Sequence, residues 1–162
     1  MTPRKKDRGA KDRGATRLRR GAAERRGIGG PSRPPFKTII KEHKDLPRPR
    51  APYAQIVRAG NLVFMSGAVG RAPDGTLVKN DLQAQFRQAL VNTRAALAAV
   101  GARPEDVVRV TLYLTNMKEK ALLDKMREDF FGPDWPAAVA IGVTELASPE
   151  YLVEMDAIAV VA

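Results

Sequence analysis

The apolar positions between residues 81 and 100 predict the longest helix of the chain. They recur at steps of three and four residues, which puts them on one face of a helix with 3.6 residues per turn. The members of this stripe are Leu82, Phe86, Leu90, Thr93, Leu97 and Val100. Asn80 or Asp81 can cap the first turn, and Gly101 can end the last one. The pattern therefore indicates an amphipathic helix over Asp81–Val100.

A second helix is predicted over Lys118–Phe131 by the signals at its two ends. Asn116 followed by Glu119 resembles a capping box, and Gly132-Pro133 stops the helix. The apolar side chains of this helix that we expect to face the core are Leu122, Met126 and Phe130.

Six shorter apolar stretches are typical of strands. They are Phe36–Ile40, Gln55–Ala59, Leu62–Ala68, Val107–Leu114, Ala137–Thr144 and Leu152–Val161. The order β-β-β-α-β-α-β-β predicts an α+β domain, with two helices on one face of a mixed sheet. Such a sheet leaves its other face apolar and uncovered, so we expect the domain to assemble with further copies of itself.

The first 35 residues differ from the rest in composition and charge. Leu18 and Ile28 are their only large aliphatic side chains, and the pentapeptide Lys-Asp-Arg-Gly-Ala occurs twice in tandem. Residues 1–50 carry 17 Lys and Arg against 5 Asp and Glu, whereas residues 51–162 carry 11 against 13. The net charge of +10 therefore comes from the N-terminal third of the chain.

We expect residues 1–35 to form a disordered basic tail and residues 36–162 to form the folded domain. So few apolar side chains cannot offset the entropy lost when such a segment is ordered. The tail has two interpretations. Either it binds RNA, DNA or another polyanion through phosphate contacts, or it is a solvated extension or sequence translated upstream of the true start.

Composition excludes several kinds of chemistry. The chain has no cysteine, so it has neither disulfides nor thiol chemistry. The single histidine, His43, cannot form a histidine metal cluster and lies in a charged stretch typical of a solvated surface. No apolar run reaches the roughly 18 residues that span a membrane, and the N-terminus has no apolar signal stretch. We therefore expect a cytoplasmic protein without a metal or other cofactor and without a membrane partner.

Several short motifs, in their order and spacing, resemble the RidA/YjgF family over Phe36 to Val161. They are Pro52-Tyr53-Ala54-Gln55, Gly60-Asn61-Leu62-Val63-Phe64-Met65-Ser66-Gly67, Gln85–Asn92, Val107–Leu114, Trp135-Pro136-Ala137-Ala138 and Glu154–Val160. The resemblance implies a chorismate-mutase-like fold and a homotrimer that binds small molecules in clefts between its subunits. It also implies hydrolysis of reactive enamines and imines.

The same resemblance implies the residues of the site. In deaminating members a tyrosine lines the cleft, a glutamate positions or activates a water, and an arginine pairs with the substrate carboxylate. Tyr53, Gly67 and Glu154 match the family pattern, whereas Ala138 stands at the position of the arginine. Because a methyl group cannot bind a carboxylate, this substitution implies a substrate-binding cleft for a neutral or hydrophobic ligand.

Each of these residues also has a purely structural interpretation. Tyr53 can pack at the start of a strand, and Gly67 can relieve crowding within one. Glu154 and Asp156, two residues apart on one strand face, form either an acid/base pair or a solvated edge. Arg71, on the loop after the third strand, is an alternative source of the missing guanidinium.

Three functions stay open on the sequence alone. The first is hydrolysis of a small imine, enamine or related carbonyl compound that lacks the carboxylate, with Glu154 as the catalytic group. The second is a non-catalytic module that binds a ligand or another protein on the same scaffold. The third is RNA binding through the basic tail.

Overall fold

The computed structural model describes residues 36–162, which form six strands and two α-helices. In chain order these are β1 (Lys37–Ile40), β2 (Ile56–Ala59), β3 (Leu62–Val69), α1 (Leu82–Ala98), β4 (Val107–Leu114), α2 (Ala121–Phe131), β5 (Ala137–Gly142) and β6 (Val153–Val160). The predicted order of elements is confirmed, with small shifts at their ends. The prediction of a disordered tail concerns residues 1–35, which lie outside the described residues.

The six strands of the described domain form one mixed sheet in the order β1-β2-β3-β6-β4-β5. Neighbouring strands are antiparallel, except that β4 and β5 are parallel. The parallel pair arises because α2 carries the chain back along the sheet between them. The last strand, β6, inserts between β3 and β4, so it joins the two halves of the chain at the centre of the sheet.

Helix α1 covers one face of the sheet with the predicted stripe. Its first turn is capped by Asp81, whose carboxylate accepts a hydrogen bond from the Ala84 amide at 2.9 Å. All six side chains of the stripe are buried. Two polar side chains of the helix, Gln85 and Asn92, are buried as well, and they hydrogen-bond carbonyl groups of neighbouring loops. The helix therefore fixes the loops that flank the sheet as well as the core.

The buried face of α2 differs from the prediction. Leu122 is 51% exposed and Met126 is only half-buried. The buried side chains of this helix are Leu123, Phe130 and Phe131. The prediction was wrong at Leu122 because it lies eight residues before Phe130, which at about 100° per residue places it roughly 80° away from Phe130 around the helix. Leu123, seven residues before Phe130, lies within about 20° of it and is buried instead.

Side chains of β6 alternate between the two faces of the sheet. The core face carries Val153, Met155, Ala157 and Ala159, which are all buried. Glu154, Asp156 and Ile158 occupy the positions between them and therefore lie on the face away from the helices. Ile158 pairs there with Phe64 of β3, which is 43% exposed.

The predicted fold class is thus confirmed as an α+β domain with two helices on a mixed sheet. The assembly into a homotrimer stays a prediction. No helix of residues 36–162 is long and apolar enough to cross a membrane.

Candidate active site

A bulge in β3 brings Gly67 directly against Glu154. The pairing of β3 with β6 shifts its register between Met65 and Ala68, so Gly67 lies in the irregular stretch. A Cβ atom added to Gly67 would lie 2.7 Å from Cγ of Glu154, and nearer still to its carboxyl group. Glycine at this position leaves the space that the end of the Glu154 side chain occupies across the strand.

The half-buried Glu154 carboxyl has a pKa above its ordinary value of 4.5. Burial is the larger cause, because loss of water penalises the charged form, and the negative charge of Asp156 adds to it. Asp156 itself accepts a hydrogen bond from the Tyr113 hydroxyl at 3.0 Å. A carboxyl group with a raised pKa is suited to take up and return a proton near neutral pH.

Tyr53 precedes β2 and lies near the same carboxyl group. Its ring is 46% exposed, and the pKa of its hydroxyl is raised by burial and then by the negative charge of Glu154. The phenol therefore stays protonated at neutral pH, and a protonated phenol can donate a hydrogen bond.

Ser66 connects the segment that carries Tyr53 to the bulge that carries Gly67. Its hydroxyl donates a hydrogen bond to the Ala54 carbonyl at 2.7 Å, and its amide donates one to the Gln55 carbonyl at 3.0 Å. Two hydrogen bonds from one residue thus hold the positions of Tyr53 and Gly67 relative to each other.

A cavity of about 400 Å³ joins these residues. Tyr53, Gly67 and Glu154, which the resemblance implied as site residues, all line it. The remaining wall comes from the loop that includes Leu46 and Arg50, from α1 at Asn92, and from the loop before β6. Cavities of this size are typical of sites for small organic ligands. Within residues 36–162, no three His, Asp or Glu side chains are grouped closely enough to hold a metal ion.

Arg71 and Tyr151 line the cavity as well. Arg71 is only 8% exposed, and its Nε donates a hydrogen bond to the Tyr151 hydroxyl at 2.9 Å. From the sequence, Arg71 was expected at the cleft only as an alternative source of the guanidinium, and Tyr151 was not predicted as a site residue. No motif marks this tyrosine, and the signal that could have found it is an aromatic residue directly before a central strand.

Ala138 lies apart from the cavity of a single chain. It pairs with Val110 across β4 and β5, and Val110 faces the core, so Ala138 belongs to the helix-bearing side of an edge strand. Glu154 leaves the sheet on the other side, two strands away. The implied role of Ala138 at a substrate site therefore requires a second copy of the chain.

The chain matches known proteins over the described domain. Residues 43–161 match the family model "Endoribonuclease L-PSP". A RutC family protein of Pyrococcus horikoshii is 38% identical over 117 residues, which cover 72% of this chain and 92% of the relative. A 2-iminobutanoate/2-iminopropanoate deaminase of Dermatophagoides farinae is 32% identical over 116 residues, covering 71% of this chain and 90% of the relative.

Solved structures agree with these relatives. A protein of unknown function of the conserved Rid protein family, YyfA from Yersinia pestis, superposes with a TM-score of 0.72 at 32% identity. The match covers 77% of this chain and 99% of the Yersinia protein. Together with the family model and the relatives, this match shows that the chain belongs to the RidA/YjgF family.

Proposed function

We propose that the domain hydrolyses a small imine or enamine to a carbonyl compound and ammonia, with Glu154 as the catalytic group. The observation that carries this proposal is the Glu154 carboxyl, which is half-buried over Gly67 in the wall of the cavity and has a raised pKa. Relatives at about a third identity that are named 2-iminobutanoate/2-iminopropanoate deaminases support the same reaction class.

The reaction needs one proton carrier beside the imine carbon. Ionised Glu154 accepts a proton from water as the water oxygen bonds to that carbon. The electron pair of the C=N π bond moves to nitrogen, which takes up the proton now held by Glu154 and leaves a neutral carbinolamine. Glu154, ionised again, accepts the proton of the carbinolamine hydroxyl and passes it to the nitrogen. The carbon–nitrogen bond then breaks, ammonia leaves, the hydroxyl oxygen becomes the carbonyl oxygen, and Glu154 is ionised as it was at the start.

Tyr53 supports this chemistry from the wall of the same cavity. Its protonated hydroxyl can donate a hydrogen bond to the ligand or to the attacking water. The half-exposed ring gives the ligand an apolar surface at the mouth of the cavity. Glu154 thus carries the proton and Tyr53 positions the groups between which it moves.

We also propose that the working form is a homotrimer whose ligand clefts lie between subunits. Exposed apolar side chains on the uncovered sheet face, among them Leu62 and Phe64, support an interface between copies. Phe64→Glu should shift the mass measured by light scattering towards a single chain, whereas the surface control Val91→Glu on α1 should not. An unchanged mass for both variants would place the interface elsewhere.

The test of the reaction is release of ammonia from imines generated in situ from amino acids, compared with release in buffer alone. Wild-type protein should accelerate the release, and Glu154→Gln should lower kcat by about 100-fold or more, on the scale of general acid–base catalysis. Glu145→Gln, an exposed glutamate outside the cavity, is the matched control. Binding of the 2-oxo acid products without any turnover would instead favour the non-catalytic ligand-binding function.

A further inference from the structure

Arg71 is held rigidly at the edge of the cavity. Its backbone carbonyl accepts a hydrogen bond from the buried Asn92 side chain at 2.7 Å, and the same amide group binds the Val69 carbonyl at 2.9 Å. A bridge between Arg71 and Leu77 closes the loop that follows β3. These contacts therefore fix the position of the backbone that carries the guanidinium.

Two neutral acceptors position the Arg71 guanidinium. Nε donates to the Tyr151 hydroxyl at 2.9 Å, and one Nη donates to the Gly75 carbonyl at 2.7 Å. The guanidinium carbon lies 5.5 Å from the centre of the Tyr151 ring. These bonds use two of the five N–H donors of the group, so most of its hydrogen-bonding capacity remains for another partner.

The Arg71 side chain has no direct ion-pair partner among residues 36–162, because Glu150, whose pKa is lowered first by Lys79 and to a smaller extent by Arg71, forms its ion pair with Lys79. None of the ion pairs among residues 36–162 includes this side chain, although it is 92% buried. A buried cation without an anion is unfavourable, because neither water nor a carboxylate replaces its lost solvation. An anion in the adjoining cavity would supply the missing partner.

The other charged side chains of the cavity wall also favour binding of an anion. Arg48 and Arg50 line the mouth, and Glu154 is the only acidic side chain among the lining residues. Arg48 pairs with Glu42 at the surface, with both side chains largely exposed. Even with Glu154 ionised, the described wall therefore carries more positive than negative charge and attracts an anion.

We propose that Arg71 receives a carboxylate group of the ligand, and so supplies from the loop after β3 the contact that Ala138 cannot make. This inference rests on the proposed function, in that the carboxylate belongs to the imine acid or its 2-oxo acid product. A guanidinium with unused N–H donors suits a carboxylate, whose oxygens accept charge-assisted hydrogen bonds. The inference replaces the expectation of a neutral ligand that followed from Ala138 alone.

The test measures binding of 4-methyl-2-oxopentanoate and of its methyl ester by isothermal titration calorimetry, on the full chain. Arg71→Met keeps the apolar stem and removes the charge. It should weaken binding of the acid by roughly 30-fold or more and leave binding of the ester within a few-fold. Arg87→Met, which changes an exposed arginine of α1 outside the cavity, is the matched control and should leave binding of the acid unchanged. Arg71→Lys should recover part of the lost affinity, since lysine restores the positive charge but not the planar set of N–H donors of a guanidinium.

A second variant guards against a folding defect in Arg71→Met. Tyr151→Phe keeps the ring and removes only the hydroxyl that accepts from Nε, so it should weaken binding of the acid selectively and by a smaller factor. Equal losses for acid and ester in both variants, or no loss in either, would overturn the assignment.

Turnover of imines is measured separately, so that the anion site and the proposed reaction can fail independently. If the acid binds through Arg71 but no imine is hydrolysed, the proposed reaction fails while the anion site stands. If imines are hydrolysed but Arg71→Met binds the acid normally, the anion site fails while the proposed reaction stands.

Discussion

Replacement of Gly67 by alanine tests whether the position of the Glu154 carboxyl matters for the chemistry. The new methyl group would overlap the end of the Glu154 side chain, which must rotate away from the bulge. Because the displaced atoms end a flexible, half-buried side chain, the cost in folding free energy should be about 1 kcal/mol, the lower end of the range for overpacking. The carboxyl group, however, would no longer lie where it does over β3.

Gly70, three residues further on, provides the matched control. A Cβ atom there would lie 2.6 Å from Cα of Gln85, which belongs to the backbone of α1 and cannot rotate away. Gly70→Ala should therefore cost about 3 kcal/mol, the upper end of the same range. At roughly 3 °C per kcal/mol for a domain of this size, the expected falls in Tm are about 3 °C for Gly67→Ala and about 9 °C for Gly70→Ala.

Activity should rank the two variants in the opposite order. Below its Tm, Gly70→Ala should keep kcat within a few-fold of wild type, whereas Gly67→Ala should lose about 100-fold or more, because the proton carrier is displaced. The assay combines thermal unfolding followed by circular dichroism with ammonia release from an amino-acid-derived imine. The reasoning would be refuted if Gly67→Ala retained near wild-type kcat, or if it were the less stable of the two.

The pKa of Glu154 gives two further predictions. Because burial raises this pKa, the fold favours the protonated carboxyl, and its contribution to stability is fully present below about pH 4.5 and is lost as pH rises through the raised value. Glu154→Gln, which does not titrate, should therefore gain stability relative to wild type in urea unfolding as pH rises above 4.5. A gain that grows towards acid pH would contradict the sign. Asp156→Asn removes a negative charge that raises the same pKa, so the acid limb of the kcat/KM profile should move to lower pH, and a shift to higher pH would exclude Glu154 as the base.

Local signals in the sequence were sufficient for the elements and their order. The stripe on α1 is buried at every predicted position, and Asp81 caps the helix as the residue type at that position suggests. These features depend on contacts between residues three or four apart, which a single sequence displays directly. The exception is Leu122, where steps of four residues drift away from the buried face of α2 and the neighbouring Leu123 is buried instead.

The candidate site could be predicted only in part. Tyr53, Gly67 and Glu154 were found because the family motifs cover them, and all three line one cavity. The hydrogen bond between Arg71 and Tyr151 could not be predicted, because it joins residues 80 positions apart in the chain. No periodicity or spacing encodes such a contact, and it arises only when β3 and the start of β6 meet at one end of the sheet.

The sequence by itself thus determined the class of fold, the family and the absence of a guanidinium at Ala138, because each depends on residue identity or local order. Only the tertiary structure decided what surrounds Glu154. The insertion of β6 beside the bulge of β3 half-buries its carboxyl, raises its pKa and sets Gly67 beneath it. The contact between these distant segments also buries Arg71 at the cavity, where it forms no direct ion pair with any of the described residues. Burial and solvation depend on every atom around a group, and for that reason the chemistry of this site follows from the fold.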